Sequence, residues 1–121
     1  MRENDYTLRA RALLRSMGMP PNCKGYRYLT WAVALTAQTL DREGRLPGGL
    51  YRRVGVCCAA KPETVERSCR CAVARLWKEG NGAVRSRWFP KSTAVGKNGP
   101  PIAVFVRILA QVLLREWQDL G

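Results

Sequence analysis

The sequence predicts an all-α fold, a compact bundle of about six helices that contains a helix-turn-helix. Apolar residues recur at the three- and four-residue spacing of helices along most of the chain, whereas alternating strand patterns are almost absent. Near the middle of the chain, a short helix, a tight turn and a longer helix follow one another as in a helix-turn-helix. A chain of 121 residues has the size of one domain. We therefore assign residues 1–121 to a single domain, with residues 1–5 as a disordered tail.

The first half of the chain predicts three helices, which are separated by proline and glycine. The first covers residues 6–17 and ends at Gly18, a residue type that suits a helix C-terminus. Its predicted apolar stripe consists of Leu8, Ala12, Leu13 and Met17. The second helix covers residues 26–42, and a short third helix covers residues 49–56.

The second half predicts three further helices, over residues 62–79, 83–88 and 102–118. Pro62 suits the first position of the fourth helix. The predicted inner stripe of this helix consists of Val65, Cys69, Ala72, Val73, Leu76 and Trp77. The last helix is apolar nearly all round, which predicts either burial on several sides or a dimer interface.

The charge balance indicates a polyanionic partner. The chain has 21 Lys and Arg residues but only 9 Asp and Glu residues, a formal net charge of +12. Positive charge at this density attracts polyanions. Nucleic acid is the leading candidate, and double-stranded DNA is the form that a helix-turn-helix would bind. An anionic membrane surface is the alternative, and a role in solubility alone is the third reading.

Nothing in the sequence predicts insertion into a membrane. The longest uncharged run, residues 28–40, is too short to span a bilayer, and the charged N-terminus does not resemble a signal peptide. We therefore expect a cytoplasmic protein.

The residue types that most often carry catalysis or bind metals are scarce. The chain has no histidine, the commonest general base and metal ligand. Its five cysteines are odd in number and include the adjacent pair Cys57 and Cys58, a spacing that suits neither disulfides nor structural zinc. We expect free thiols, no cofactor, no metal and no enzymatic activity.

The fourth helix carries a polar face opposite its apolar stripe. This face contains Glu63, Thr64, Arg67, Cys71, Arg75 and Lys78, with Glu66 and Arg70 at its edges. Arg67 lies in the N-terminal part, which in a helix-turn-helix reaches base edges, and arginine bound to guanine is the commonest specific contact. The alternative is a solvated face with the ion pairs Glu63–Arg67 and Glu66–Arg70. Spacing alone leaves the two readings about even.

Several motifs resemble a known family. The chain contains "MGMPPNCKGYRYL" (residues 17–29), "LYRRV" (50–54) and "VERSCRCAVARLWKEGN" (65–81). Further matches in spacing are Phe89, Lys97, Pro100 and Phe105. Over residues 13–118 the sequence resembles the DNA-binding effector domain of the master sporulation response regulator of endospore-forming bacteria. The resemblance implies an all-helical fold, tandem binding to short promoter boxes and contact with the RNA polymerase sigma subunit.

The resemblance also implies roles for residues of the fourth helix. Glu66, Arg67 and Arg70 match the family motif and are predicted to read bases. Thr64 stands where the family usually has arginine, and Cys71 stands where it usually has histidine, so the preferred box is expected to differ or binding to be weaker. The helix also lacks a good N-terminal cap, because Ala and Lys precede Pro62.

Basic residues elsewhere are candidates for phosphate contacts. These candidates are Lys24, Arg52, Arg53, Lys61, Arg75, Lys78 and Lys97. Beside Lys24, Arg27 is expected to face solvent while Tyr26 and Tyr28 pack inward. The roles of Arg85 and Arg87 stay open.

Two functions are carried forward. In the family a receiver domain precedes the effector, but only about a dozen residues precede the resemblance here, so we expect a stand-alone regulator. The rival is a protein-interaction module that binds a sigma factor or a full-length relative. Positive potential centred on Arg67, Arg70 and Lys78 would favour DNA, whereas scattered potential would favour neither function.

Overall fold

The structure, a computed structural model, describes residues 2–89 and 98–120. It contains six α-helices over these residues. They are α1 (Glu3–Ser16), α2 (Lys24–Glu43), α3 (Leu50–Cys58), α4 (Pro62–Glu79), α5 (Gly82–Trp88) and α6 (Ile102–Leu120). The predicted all-α fold is confirmed, and the bounds of α4 are those that the sequence predicted.

The N-terminus departs from the prediction, because α1 begins at Glu3. The disordered tail predicted for residues 1–5 is therefore wrong from residue 3 onward. Asp5 accepts a 2.8 Å hydrogen bond from the backbone N–H of the residue that precedes the helix, which satisfies one of the free donors of the first turn. The ring of Tyr6 is buried, and its hydroxyl donates to Asp41 Oδ2 of α2 at 2.7 Å.

The inner face of α1 also differs from the predicted stripe. Leu8 is 57% exposed and Ala12 is exposed. The residues that α1 and its end contribute to the core are Tyr6, Ala10, Leu13, Leu14 and Met17. Their spacing is helical once Tyr6 is counted as apolar, because tyrosine buries its ring while its hydroxyl keeps a polar partner.

Helix α2 lies at the centre of the bundle and packs against α1, α3, α4 and α6. One apolar core joins side chains from these five helices and from Phe89. Helix α6 is buried on several sides within this core, through Ile102, Phe105, Val106, Leu109, Ala110, Val112 and Leu113. Of the two readings of its apolar sequence, the structure therefore favours burial within one molecule.

The helix-turn-helix consists of α3, a three-residue turn over residues 59–61, and α4. Helix α3 ends at Cys58, two residues later than predicted. The first turn residue, Ala59, has left-handed backbone angles (φ 53°, ψ 49°), and the Ala60 N–H donates to the Gly55 carbonyl at 2.9 Å. A Cβ on Gly55 would clash with the Ala60 carbonyl oxygen, so glycine is needed for the chain to turn this tightly.

The left-handed Ala59 generates a stability prediction. A residue with a Cβ costs about 1–2 kcal/mol in this conformation, so Ala59→Gly should raise the free energy of unfolding by about 1 kcal/mol. The same substitution within α4, Ala74→Gly, should lower it by about 1 kcal/mol. Urea denaturation checks both, and equal effects at the two positions would contradict the role of the backbone angle.

Candidate nucleic-acid interface

Helix α4 turns one face to the core and the other to solvent, as its sequence predicted. The buried residues of α4 are Val65, Cys69, Ala72, Val73 and Leu76. Trp77, on the same face, is half-buried against the core. The predicted outer residues are exposed, except that Glu66 is half-buried. They therefore share one open face of a helix that is held by the rest of the bundle.

Close packing at Gly25 positions α4 on α2. A Cβ at residue 25 would lie 2.6 Å from the Ser68 carbonyl oxygen and closer still to the Ala72 Cβ. Only glycine therefore permits this approach of the two helices. The motif Lys-Gly-Tyr thus has a structural role, because it brings α2 against α4 while Lys24 stays exposed and Tyr26 is buried.

The C-terminal end of α4 is held by the loop after α1. The Asn81 N–H donates to the Met17 carbonyl at 2.8 Å. Gly18, at φ +96°, lies against the backbone of Gly80. Because this loop and α4 are joined through their backbones, the outer face of α4 has a fixed position relative to α1 and α2.

Arg85 of α5 also stabilises the end of α4, a role that the sequence left open. Its Nη1 donates to the Trp77 carbonyl at 2.8 Å and the Leu76 carbonyl at 3.4 Å, and its guanidinium lies 5.5 Å from the centre of the Trp77 ring. A cation at this position also complements the helix dipole. Arg87, by contrast, is exposed.

The two arginines of α5 provide a matched pair of variants. Hydrogen bonds from a charged group contribute about 1.5–3 kcal/mol, so Arg85→Ala should lower the free energy of unfolding by roughly that amount. Arg87→Ala should change it by no more than about 0.5 kcal/mol. Chemical denaturation compares them, and similar values for both would contradict the capping role.

Ion pairs divide the cations of the outer face into two groups. The predicted Glu66–Arg70 pair is formed, with Arg70 Nη2 at 2.6 Å from Glu66 Oε1. Arg75 Nε also contacts Glu79 Oε2 at 3.0 Å. Arg67 has no ion pair with any residue that the structure describes, so the predicted Glu63–Arg67 pair is not formed. The Arg67 guanidinium is therefore available to an external acceptor.

The remaining predicted residues lie around this face. Thr64 and Cys71 are exposed and follow the same helical stripe as Arg67. Lys61 is the N-cap of α4 and makes no side-chain cap hydrogen bond, which agrees with the weak cap expected from the sequence. Three of the predicted phosphate contacts lie on neighbouring helices and are also exposed: Lys24 of α2, and Arg52 and Arg53 of α3. Lys97 lies outside the described residues.

Positive charge is not concentrated on α4. Residues 61–79 contain five basic and three acidic residues, whereas residues 6–40 contain five basic residues and no acidic one. Residues 80–115 likewise contain six basic residues and no acidic one, so positive charge is spread along the chain, a distribution that the sequence analysis missed although the sequence itself shows it.

The cysteines divide into exposed and buried thiols. Cys57 and Cys71 are exposed, whereas Cys58 and Cys69 are buried. Burial raises the pKa of Cys69 from its usual 9.0 to about 12, so this thiol packs as a small neutral side chain. The described part of the chain contains no group of three or more metal-binding side chains arranged to hold an ion.

The raised pKa of Cys69 links stability to pH. Between pH 9 and about pH 12, the unfolded chain releases the Cys69 proton while the folded protein keeps it. The free energy of unfolding should therefore fall as pH rises through this window, by up to about 1.4 kcal/mol per pH unit from this group. Chemical denaturation at pH 8 and pH 10 measures this fall in the unmodified protein and in Cys69→Ala, where it should be smaller. An equal fall in both proteins would contradict the role of Cys69.

No helix among the described residues has the length and apolar character that crossing a bilayer requires.

Taken together, the three-residue turn, the packed inner stripe and the exposed polar face of α4 define a helix-turn-helix domain of the DNA-binding class. Residues 10–113 match the family described as "Sporulation initiation factor Spo0A C terminal". The match covers most of the chain, which therefore belongs to this family. The resemblance stated from the motifs is confirmed. The family is a DNA-binding effector domain of a sporulation factor and not a catalytic family.

Proposed function

We propose that this chain is a sequence-specific, DNA-binding transcriptional regulator that reads the major groove with α4 and acts as a stand-alone relative of the family's effector domain. The observation that carries the proposal is the placement of Arg67. It lies in the second turn of α4, exposed on the face opposite the core, and no described residue pairs with it. A guanidinium in this position has the donors to bind a guanine edge.

The Glu66–Arg70 pair supplies a second reading element. The 2.6 Å contact holds both side chains along the edge of α4 before DNA arrives. A carboxylate accepts from the cytosine amino group, and an arginine donates to guanine. Because an exposed pair contributes only about 0–1 kcal/mol, either side chain can leave its partner for a base.

Thr64 and Cys71 distinguish the proposed reading face from the family pattern. Both are exposed on the stripe that contains Arg67, but both are shorter than the arginine and histidine usual in the family. A hydroxyl and a thiol offer fewer and weaker donors than those groups. We therefore propose a preferred box that differs from the usual one at the corresponding base pairs.

Phosphate contacts flank the reading face in this proposal. Lys61 and Lys78 lie near the two ends of α4, and both are exposed. Arg75 is exposed too, but its 3.0 Å pair with Glu79 must open before it can reach a phosphate. Lys24 and the two arginines of α3 extend the basic surface onto neighbouring helices. Contacts of this kind set register and affinity without reading sequence.

The rival function is a protein-interaction module, and the mixed charge of α4 is the observation that favours it. Three carboxylates between residues 61 and 79 weaken attraction to a polyanion and suit a partner with both charges. In this reading α4 would bind a sigma subunit or a full-length relative. Under the leading proposal, contact with the sigma subunit and tandem pairing on adjacent boxes accompany DNA binding.

Three variants of α4 test the proposal on a box selected from random DNA. Arg67→Ala should lose about 1–3 kcal/mol of binding free energy on that box, and it should relax the base preference at one base pair. Lys78→Ala should weaken binding to all duplexes alike. It should also reduce the salt slope, which is the steepness of the fall of log K with log salt concentration, by about one unit. Thr64→Arg should strengthen binding to the family-type box, because it adds a bidentate donor.

Thermal unfolding is the control, since all three positions point away from the core. If folded Arg67→Ala keeps full affinity and preference, α4 does not read bases and the interaction module becomes the leading function. Binding of a purified sigma subunit to the same variants then tests the rival directly.

The exposed thiols provide an independent map of the contact. Cys71 lies within the proposed reading face and Cys57 lies on α3, so cognate DNA should slow alkylation of Cys71 by roughly tenfold or more when the sites are saturated. Cys57 should be slowed less. Mass spectrometry after a timed iodoacetamide pulse measures both rates, and equal protection of the two thiols would contradict docking through α4.

A further inference from the structure

A basic groove lies between α1 and α2, away from the outer face of α4. It encloses about 390 Å³ and is lined by Arg11, Arg15, Pro21, Tyr26, Arg27, Thr30 and Trp31. The three arginines are exposed. Trp31 is half-buried and Tyr26 is buried, so the groove has a fixed aromatic floor.

The charge of the groove is not neutralised within the described part of the chain. None of its three arginines has an ion pair there, and no carboxylate lines the groove. Three guanidiniums around one small cavity repel each other in the free protein. An anion placed among them removes that repulsion and gains charge-assisted hydrogen bonds.

The groove is fixed relative to the reading helix. Arg27 lies on α2, two residues after Gly25. The close packing at Gly25 holds α2 on α4. The groove therefore has a fixed position relative to α4.

The lining indicates which part of a nucleic acid the groove suits. It contains no carboxylate to accept from cytosine and no amide to bind adenine. Arginines in a concave site instead suit phosphate oxygens, which accept two donors of one guanidinium at once. Such contacts do not depend on base sequence.

We propose that this arginine groove binds the phosphate backbone of DNA beyond the box that α4 reads. The inference rests on the proposed function and deepens it. Base reading and most of the backbone affinity are then separated between two surfaces of the domain. The footprint on DNA extends past the base pairs under α4 on the side of α1 and α2.

The test compares two triple variants of the full chain that remove the same charge. The groove variant is Arg11→Gln, Arg15→Gln and Arg27→Gln. The control variant is Arg45→Gln, Arg107→Gln and Arg115→Gln, at exposed positions outside the groove. Each is titrated with a duplex of about one helical turn that carries a single box, and with one extended by about a turn of random sequence on both sides. Titrations at several salt concentrations give the salt slope of each variant.

On the extended duplex the groove variant should lose roughly tenfold or more in affinity, and its salt slope should fall by about 2–3 units, at about 0.9 per lost phosphate contact. On the short duplex it should match the control variant, and the base preference should not change. Equal losses of affinity for the extended duplex in the two triple variants would overturn the proposal that the groove binds phosphates. If the unmodified protein binds neither duplex, both the groove and the proposed function fail; if only Arg67→Ala impairs binding, the reading helix stands and the groove fails.

Discussion

The contact between Gly25 and the backbone of α4 fixes the position of the candidate residues of α4 relative to the central helix. At this point α2, the central helix of the bundle, touches α4 so closely that a Cβ would lie 2.6 Å from the Ser68 carbonyl oxygen. A methyl group here would have to displace one helix, since the neighbouring atom is backbone and cannot rotate away. Overpacking of this kind costs about 1–3 kcal/mol. The same displacement would move Arg67 relative to Arg27 and the basic surface of α2, so the packing of the bundle and the geometry of the proposed DNA-binding surface both depend on one glycine.

Much of the fold could be predicted because α4 and α6 carry simple helical periodicity. The bounds of α4 and its buried stripe follow from Pro62, Gly80 and the apolar spacing. The inner face of α1 could not be predicted in the same way, since its anchor is Tyr6, a side chain with a polar hydroxyl whose hydrogen-bond partner, Asp41, lies 35 residues away in the sequence. The end of α3 was misplaced because Ala59 adopts a left-handed conformation that is usually left to glycine.

The candidate site was predictable to a smaller extent, for an electrostatic reason. Helical spacing identifies which residues of α4 face outward and which charges are close enough to pair, but it does not show which of these pairs form: Glu66–Arg70 does, whereas Glu63–Arg67 does not. Glu66 binds Arg70 and Glu79 binds Arg75, while Arg67 stays unpaired within the described chain. Arg85 illustrates the same limit, since its bonds to the carbonyls at the end of α4 depend on how α5 folds back.

The distribution of charge bears on how such a domain could combine affinity with selectivity. Carboxylates on α4 lower its attraction to any phosphate backbone, but they also penalise base pairs that cannot donate to them, which is a repulsive contribution to specificity. The short Thr64 and Cys71 side chains lower the binding energy available from bases still further. In that proposal, affinity comes from surfaces that do not read sequence, and the acid-free stretch over residues 6–40 is one of the regions with the charge to supply it. A reading helix with modest contacts and a strongly basic flank would find DNA readily through the flank, while α4 would decide where the protein stays.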